Sequence, residues 1–279
     1  MASLRYVVAD VFTDTALTGN QLAVFTDARG VDDETMQRLA KEMNFSESVF
    51  VLPPESDGHA RIRIFTPVRE LPFAGHPVLG TAFVLGGPLQ LGQIGLETGA
   101  GVVPITLERE GARIVFGRMR QPIPEYEPFD QAEAVEKLLG IRSRLPVELY
   151  RQGPGFAYFE LESEAAVAAL APDFGALGEI TDFGISCFAG SGTGWKTRMF
   201  APTSGVPEDP ATGSAAGPLA MHLARHGRID FDEEIEISQG DEIGRPSKLY
   251  ARVEGTPERV EVIEVGGSAV IVARGEFKL

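Results

Sequence analysis

Apolar and polar positions change period several times along the chain, and each change marks an element. Ala60-Arg61-Ile62-Arg63-Ile64-Phe65 alternates cleanly and predicts a strand with one buried face. Residues 195–200 repeat that alternation in the second half. Residues 5–12 and 22–25 predict strands on either side of a turn-rich connection, Thr13 to Asn20. Over residues 33–43 the period becomes helical. Met36, Leu39, Ala40 and Met43 share one face, and Asp32 or Asp33 can cap the start. Asn44 breaks that helix, and Ser48 to Leu52 predict the next strand, ended by Pro53-Pro54.

Gly75 to Leu85 has no polar face. A helix that is apolar nearly all round must be enclosed by other elements. A second small-residue helix is predicted from about Gly213 to His226. Residues 93–120 read as three strands with glycine turns, 130–139 as a helix, and 246–279 as strand-rich with hairpin turns. The proline-bearing stretch 121–128 suits neither a central strand nor a helix and is the expected linker.

Two stretches match each other. Arg63-Ile64-Phe65-Thr66-Pro67, a loop, and Gly75-His76-Pro77-Val78-Leu79-Gly80 parallel Arg198-Met199-Phe200-Ala201-Pro202, a loop, and Gly213-Ser214-Ala215-Ala216-Gly217. The same order in two half-chains argues for an internal duplication. The expected fold is therefore α+β. It has two pseudo-symmetric domains, each a rolled, barrel-like β-sheet around a central apolar helix. The expected domains are residues 1–127 and 128–266. The last strand, 267–279, is a candidate to rejoin the first, and the helix starts should face a shared cleft.

Composition narrows the function classes. A formal net charge of -15 opposes binding to nucleic acid or anionic membrane, although it also serves plain solubility. No apolar run reaches the roughly 18 residues that a membrane helix needs. Residues Met1 to Tyr6 lack the apolar stretch of a signal peptide, so the cytoplasm is the expected location. The single cysteine, Cys187, cannot form an internal disulfide and sits in an apolar context that predicts a buried small hydrophobe. His222 and His226 have the i, i+4 spacing of metal ligands, but beside Arg225 at a helix end they read as complements to the helix dipole. No metal and no cofactor are expected. Gly190 to Gly194 reads as a hairpin or a flexible loop.

The chemistry gathers at the two helix starts. A helix N-terminus presents backbone N–H groups and partial positive charge, which suit a carboxylate. Asp209-Pro210-Ala211-Thr212-Gly213-Ser214-Ala215 puts such a start beside a hydroxyl and a carboxylate, and Gly75-His76-Pro77 puts another beside an imidazole. A purely structural role, with Asp209 and Ser214 capping and His76 packing, stays open. Glu47 stands among Phe45, Val49 and Phe50 at a helix-to-strand corner. Facing a dry cleft, its carboxyl would become a usable base near neutrality; alternation equally allows a solvent-facing strand residue.

Taken together, Asp10 to Phe25, Asn44-Phe45-Ser46-Glu47-Ser48, Leu71-Pro72-Phe73-Ala74-Gly75-His76-Pro77 and Asp209 to Pro218 resemble the PhzF family from about residue 5 to the C-terminus. The resemblance implies a fold like that of diaminopimelate epimerase. Those epimerases use a cysteine from each half as acid and base. Here the corresponding helix starts carry Gly75 and Gly213, so two-cysteine racemisation is excluded. The resemblance implies instead an isomerase of trans-2,3-dihydro-3-hydroxyanthranilate in phenazine biosynthesis, and a homodimer. It assigns catalysis to Glu47, His76 and Asp209, with Glu47 moving a proton from C3 to C1. Substrate binding falls to Ser46, Gly75, Gly213, Ser214 and Ala215, with backbone N–H groups from Gly213 to Ala215 holding the carboxylate. Two other readings stay open: a related isomerase or epimerase of another small carboxylated metabolite, and a ligand-binding protein without turnover.

Overall fold

The computed structural model describes residues 3–279. Contacts divide the chain into two units, residues up to Arg120 with Gly266–Leu279, and Gln121–Val265.

The first unit begins with β1 (Ser3–Val11) and β2 (Asn20–Phe25), which are antiparallel. Helix α1 (Asp33–Met43) follows, capped by the Asp32 side chain on the Thr35 N–H. It stops at Asn44, whose left-handed backbone (φ 52°) a short polar side chain tolerates. That turn delivers the chain into β3 (Glu47–Leu52), which runs parallel to β2 with Glu47 opposite Leu22. Next come β4 (Ala60–Phe65), antiparallel to β3, and the short β5 (Glu70–Leu71) on its other edge. Helix α2 (Gly75–Leu89) runs one turn past its predicted end. Then β6 (Gln93–Thr98) pairs parallel with β4 and antiparallel with β7 (Gly101–Glu110), and β8 (Arg113–Gln121) pairs with β7. Every residue of α2 from Gly75 to Val84 is buried, as its all-round apolarity requires.

The second unit repeats this series. After β9 (Glu125–Pro128) and α3 (Ala132–Leu139), β10 (Glu148–Arg151) and β11 (Gly155–Glu160) are antiparallel. Helices α4 (Glu164–Ala168) and α5 (Phe174–Ile180) lead to β12 (Gly184–Ser191), parallel to β11. A hairpin across Gly192-Thr193 leads to β13 (Gly194–Ala201), as the glycines predicted. β14 (Val206–Asp209) lies on the edge of β13, and α6 (Gly213–Arg225) follows. β15 (Glu234–Gln239) is parallel to β13 and antiparallel to β16 (Ser247–Thr256), and β17 (Arg259–Gly267) follows a short turn. The order of parallel and antiparallel pairings from β10 to β16 is the order from β1 to β7. The last strand, β18 (Ala269–Lys278), returns to pair with β1, as β9 pairs with β10.

Residues 121–128 are therefore more than a linker. Gln121 closes β8, and Glu125–Pro128 is a strand on the outer side of β10, where proline's missing N–H costs no ladder bond. Cys187 is fully buried in the core around Phe159, Ile185 and Phe200. Among the described residues no helix is long and apolar enough to cross a membrane.

Candidate active site

Glu47 is the first residue of β3, and its register beside Leu22 brings it to the start of α2. Its Oε2 lies 3.5 Å from His76 Nδ1. His76 is the second residue of α2. It is 3% exposed, and burial pushes its pKa down to about 3, against a smaller upward pull from the Gln21 backbone. The contact is therefore between a carboxylate and a neutral ring. It is a long contact. Asn20, the first residue of β2, is fully buried with its amide nitrogen 3.3 Å from the same Nδ1. Neighbouring Ser46 is half-buried and Gly75 is buried at the helix start. Ala74, at the cap position, offers no side-chain bond, so the first turn of α2 is uncapped.

In the second unit Asp209 ends β14, and Gly213 and Ser214 open α6, as Gly75 and His76 open α2. This start too has no side-chain cap. The Thr212 hydroxyl, which stands where it could cap, instead bonds Asp209 Oδ2 at 2.6 Å. Ala215 N–H donates to the Thr212 carbonyl at 2.9 Å. The first-turn carbonyls of α6 receive side-chain donors. Gln121 Nε2 reaches Gly213 O at 2.8 Å, Gln152 Nε2 reaches Ser214 O, and Tyr158 Oη reaches Ala215 O at 2.8 Å. These buried bonds fix the position of the helix start.

The opposite end of α6 answers the histidine pair. His222 Nδ1 and His226 Nε2 both reach Glu148 Oε2, at 3.2 and 3.1 Å. Three potential ligands thus meet. Arg225, however, lies 2.8 Å from the same oxygen and 3.4 Å above the Tyr126 ring. Burial pushes Glu148 up, but the donors His222, Arg225, His226 and Tyr150 outweigh it and hold the carboxyl well below its usual range. Burial in turn holds His222 below its ordinary value. The group is a carboxylate neutralised by a guanidinium at a helix C-terminus, in keeping with the dipole reading.

The sequence reading missed Asn20, Gln121, Gln152, Thr212 and Gln239. Gln239 left one signal: in β15, Ile235, Ile237 and Gln239 all fall on the buried phase, where a lone amide needs partners.

Two pairing series of one design, each with a central helix whose start carries no side-chain cap, define a duplicated α+β fold class. A hydroxyproline epimerase from Agrobacterium vitis shares this fold at a TM-score of 0.66, covering 98% of this chain and 92% of that one at 12% identity. Residues 9–275 match the family described as phenazine biosynthesis-like protein, PhzC-PhzF, and the chain belongs to that family. The Bacillus anthracis phenazine biosynthesis protein of the PhzF family superposes with a TM-score of 0.85 and 26% identity over the full length of both chains. A Pseudomonas aeruginosa relative named trans-2,3-dihydro-3-hydroxyanthranilate isomerase is 53% identical over 99% of both chains.

Proposed function

We propose that this chain isomerises trans-2,3-dihydro-3-hydroxyanthranilate on the route to phenazines. The observation that carries the reading is the 53% identity, over 99% of both chains, to a relative bearing that activity in its name. The geometry supports it. Glu47 stands beside a neutral imidazole, so its charge is not neutralised by His76.

In this mechanism the Glu47 carboxylate takes the proton from C3 of the substrate and returns it at C1. The double bond shifts with it, and no electrons enter or leave. One base can serve both carbons when they lie on one face of the ring within its reach. The Gly213 and Ser214 N–H groups hold the substrate carboxylate at the positive end of α6, which fixes its pose. His76 and Asp209 orient the amino and hydroxyl groups and balance charge in the enol-like transition state. The enol product tautomerises to a reactive ketone, and two such molecules condense toward the phenazine skeleton. The working form is a homodimer in the cytoplasm.

Proton NMR in deuterated water tests this directly. Loss of substrate with deuterium entering at C1 is expected. A folded protein that leaves the substrate unchanged would overturn the reading and favour another small carboxylated acid.

A further inference from the structure

We infer that Gln239 and Thr212 are positioning residues that fix the hydrogen-bonding state of Asp209; the catalytic meaning of this rests on the function proposed above. Gln239 closes β15 and is 3% exposed. Two partners decide which way its amide points. Its Nε2 lies 2.8 Å from the Asp209 carbonyl oxygen, which can only accept. Its Oε1 lies 3.2 Å from the Thr212 backbone N–H, which can only donate. The Thr197 hydroxyl adds a second donor to Oε1 at 3.2 Å. The amide orientation is thus set by groups of known polarity.

With that orientation fixed, the second Nε2 proton points to Thr212 Oγ1 at 3.0 Å. A hydroxyl that accepts there must send its own proton elsewhere, and the Asp209 Oδ2 at 2.6 Å receives it. Gln239, Thr212 and Asp209 form a directed chain in which the carboxylate is always the acceptor. All three residues are buried, so water does not scramble that direction.

A helix start of this fold does not need the arrangement. In the first unit the residue at the cap is Ala74, the residue four places before the helix is Leu71, and β6 ends in Thr98, which bonds Gly101 O instead. Helix α2 forms without any of the three groups. The chain is present only where an aspartate stands four residues before the helix, which points to control of that carboxylate and not to folding.

The test uses the full-length protein with 13C-labelled aspartate carboxyls, the Asp209 resonance being assigned through Asp209→Asn. Thr212→Val keeps the shape and removes the hydroxyl. Its Asp209 titration midpoint is expected to rise by about one pH unit, because a hydrogen bond to the charged form is lost. Thr212→Ser should restore the wild-type midpoint. Gln239→Glu should raise it too, since a carboxylate draws the Thr212 proton away from Asp209. In turnover assays kcat is expected to fall about tenfold in Thr212→Val, with KM nearly unchanged, and to recover in Thr212→Ser. A folded Thr212→Val protein with a wild-type Asp209 titration overturns the inference. Wild-type protein that does not turn over the substrate overturns the proposed function alone, because the carboxyl titration needs no substrate.

Discussion

Glu47 Oε2 lies 3.5 Å from Nδ1 of His76, a ring that burial keeps neutral. A neutral ring does not hold the Glu47 carboxylate in an ion pair. Glu47→Gln keeps the side chain's shape and removes the proposed base. Turnover is expected to fall by at least about 10²- to 10⁴-fold while substrate binding changes little. Calorimetric binding alongside the deuterium-exchange assay separates the two; a variant with near wild-type turnover would rule Glu47 out.

His76 makes a second prediction. Its pKa is about 3 in the folded chain against an ordinary 6.5. The unfolded chain therefore takes up this proton as pH falls through 6.5, and the folded chain does not until about 3. Stability is fully present above 6.5 and declines steadily between those values, by on the order of 5 kcal/mol for this one ring. Ring-nitrogen NMR should find His76 unchanged from pH 8 to pH 5. A titration midpoint near 6 would contradict the assignment.

Helix glycines should respond with opposite signs. A Cβ on Gly217 would stand 2.5 Å from both Gln121 Oε1 and Ile263 Cγ2. Gln121 holds the first carbonyl of α6, so moving it loosens the helix start. Gly217→Ala is expected to destabilise by about 1–3 kcal/mol, outweighing a propensity gain of about 1 kcal/mol. On Gly87, in α2, the same Cβ meets nothing within 4 Å, and Gly87→Ala should be neutral or mildly stabilising. Urea midpoints of the two variants give the comparison.

Glu97 ties down the loop before β4. Its oxygens accept from the backbone N–H groups of Glu55, Ser56 and Gly58 and from the Ser56 hydroxyl. The Glu55 N–H is the strongest of the bonds that hold its pKa down to about 2. Its contribution is present above the unfolded value of 4.5 and is lost as pH falls from there toward 2. Glu97→Gln should lower the denaturation midpoint at pH 7, expose the 55–58 loop to protease, and flatten the acid limb of the stability curve. An unchanged acid limb would count against this role.

Cys187 is fully buried, and burial pushes its thiol up to about 12. It should not react with a disulfide reagent in the folded protein and should react fully in urea. Rapid modification without loss of fold would contradict its place in the core.

What the sequence determined by itself is local and periodic. Alternation marked the strands, all-round apolarity marked α2 as an enclosed helix, and the repeated strand–loop–glycine order foretold that β1 to β7 and β10 to β16 pair alike. The family motifs pointed to Glu47, His76 and Asp209. Period, however, reports only which side of an element faces inward. It says nothing of which residue on another strand lies opposite. That is decided by register across strands that are not consecutive, such as β2 with β3 and β13 with β15. Only the tertiary structure brought Asn20 to His76, Gln121 and Gln152 to the first turn of α6, and Glu148 to His222 and His226. It also turned a presumed linker into β9 and committed the Ala215 N–H within its own helix turn. Gln239 stands between the two cases. Its inward phase was visible in the chain, but its partners exist only once β15 has docked beside β13 and α6 has closed over them.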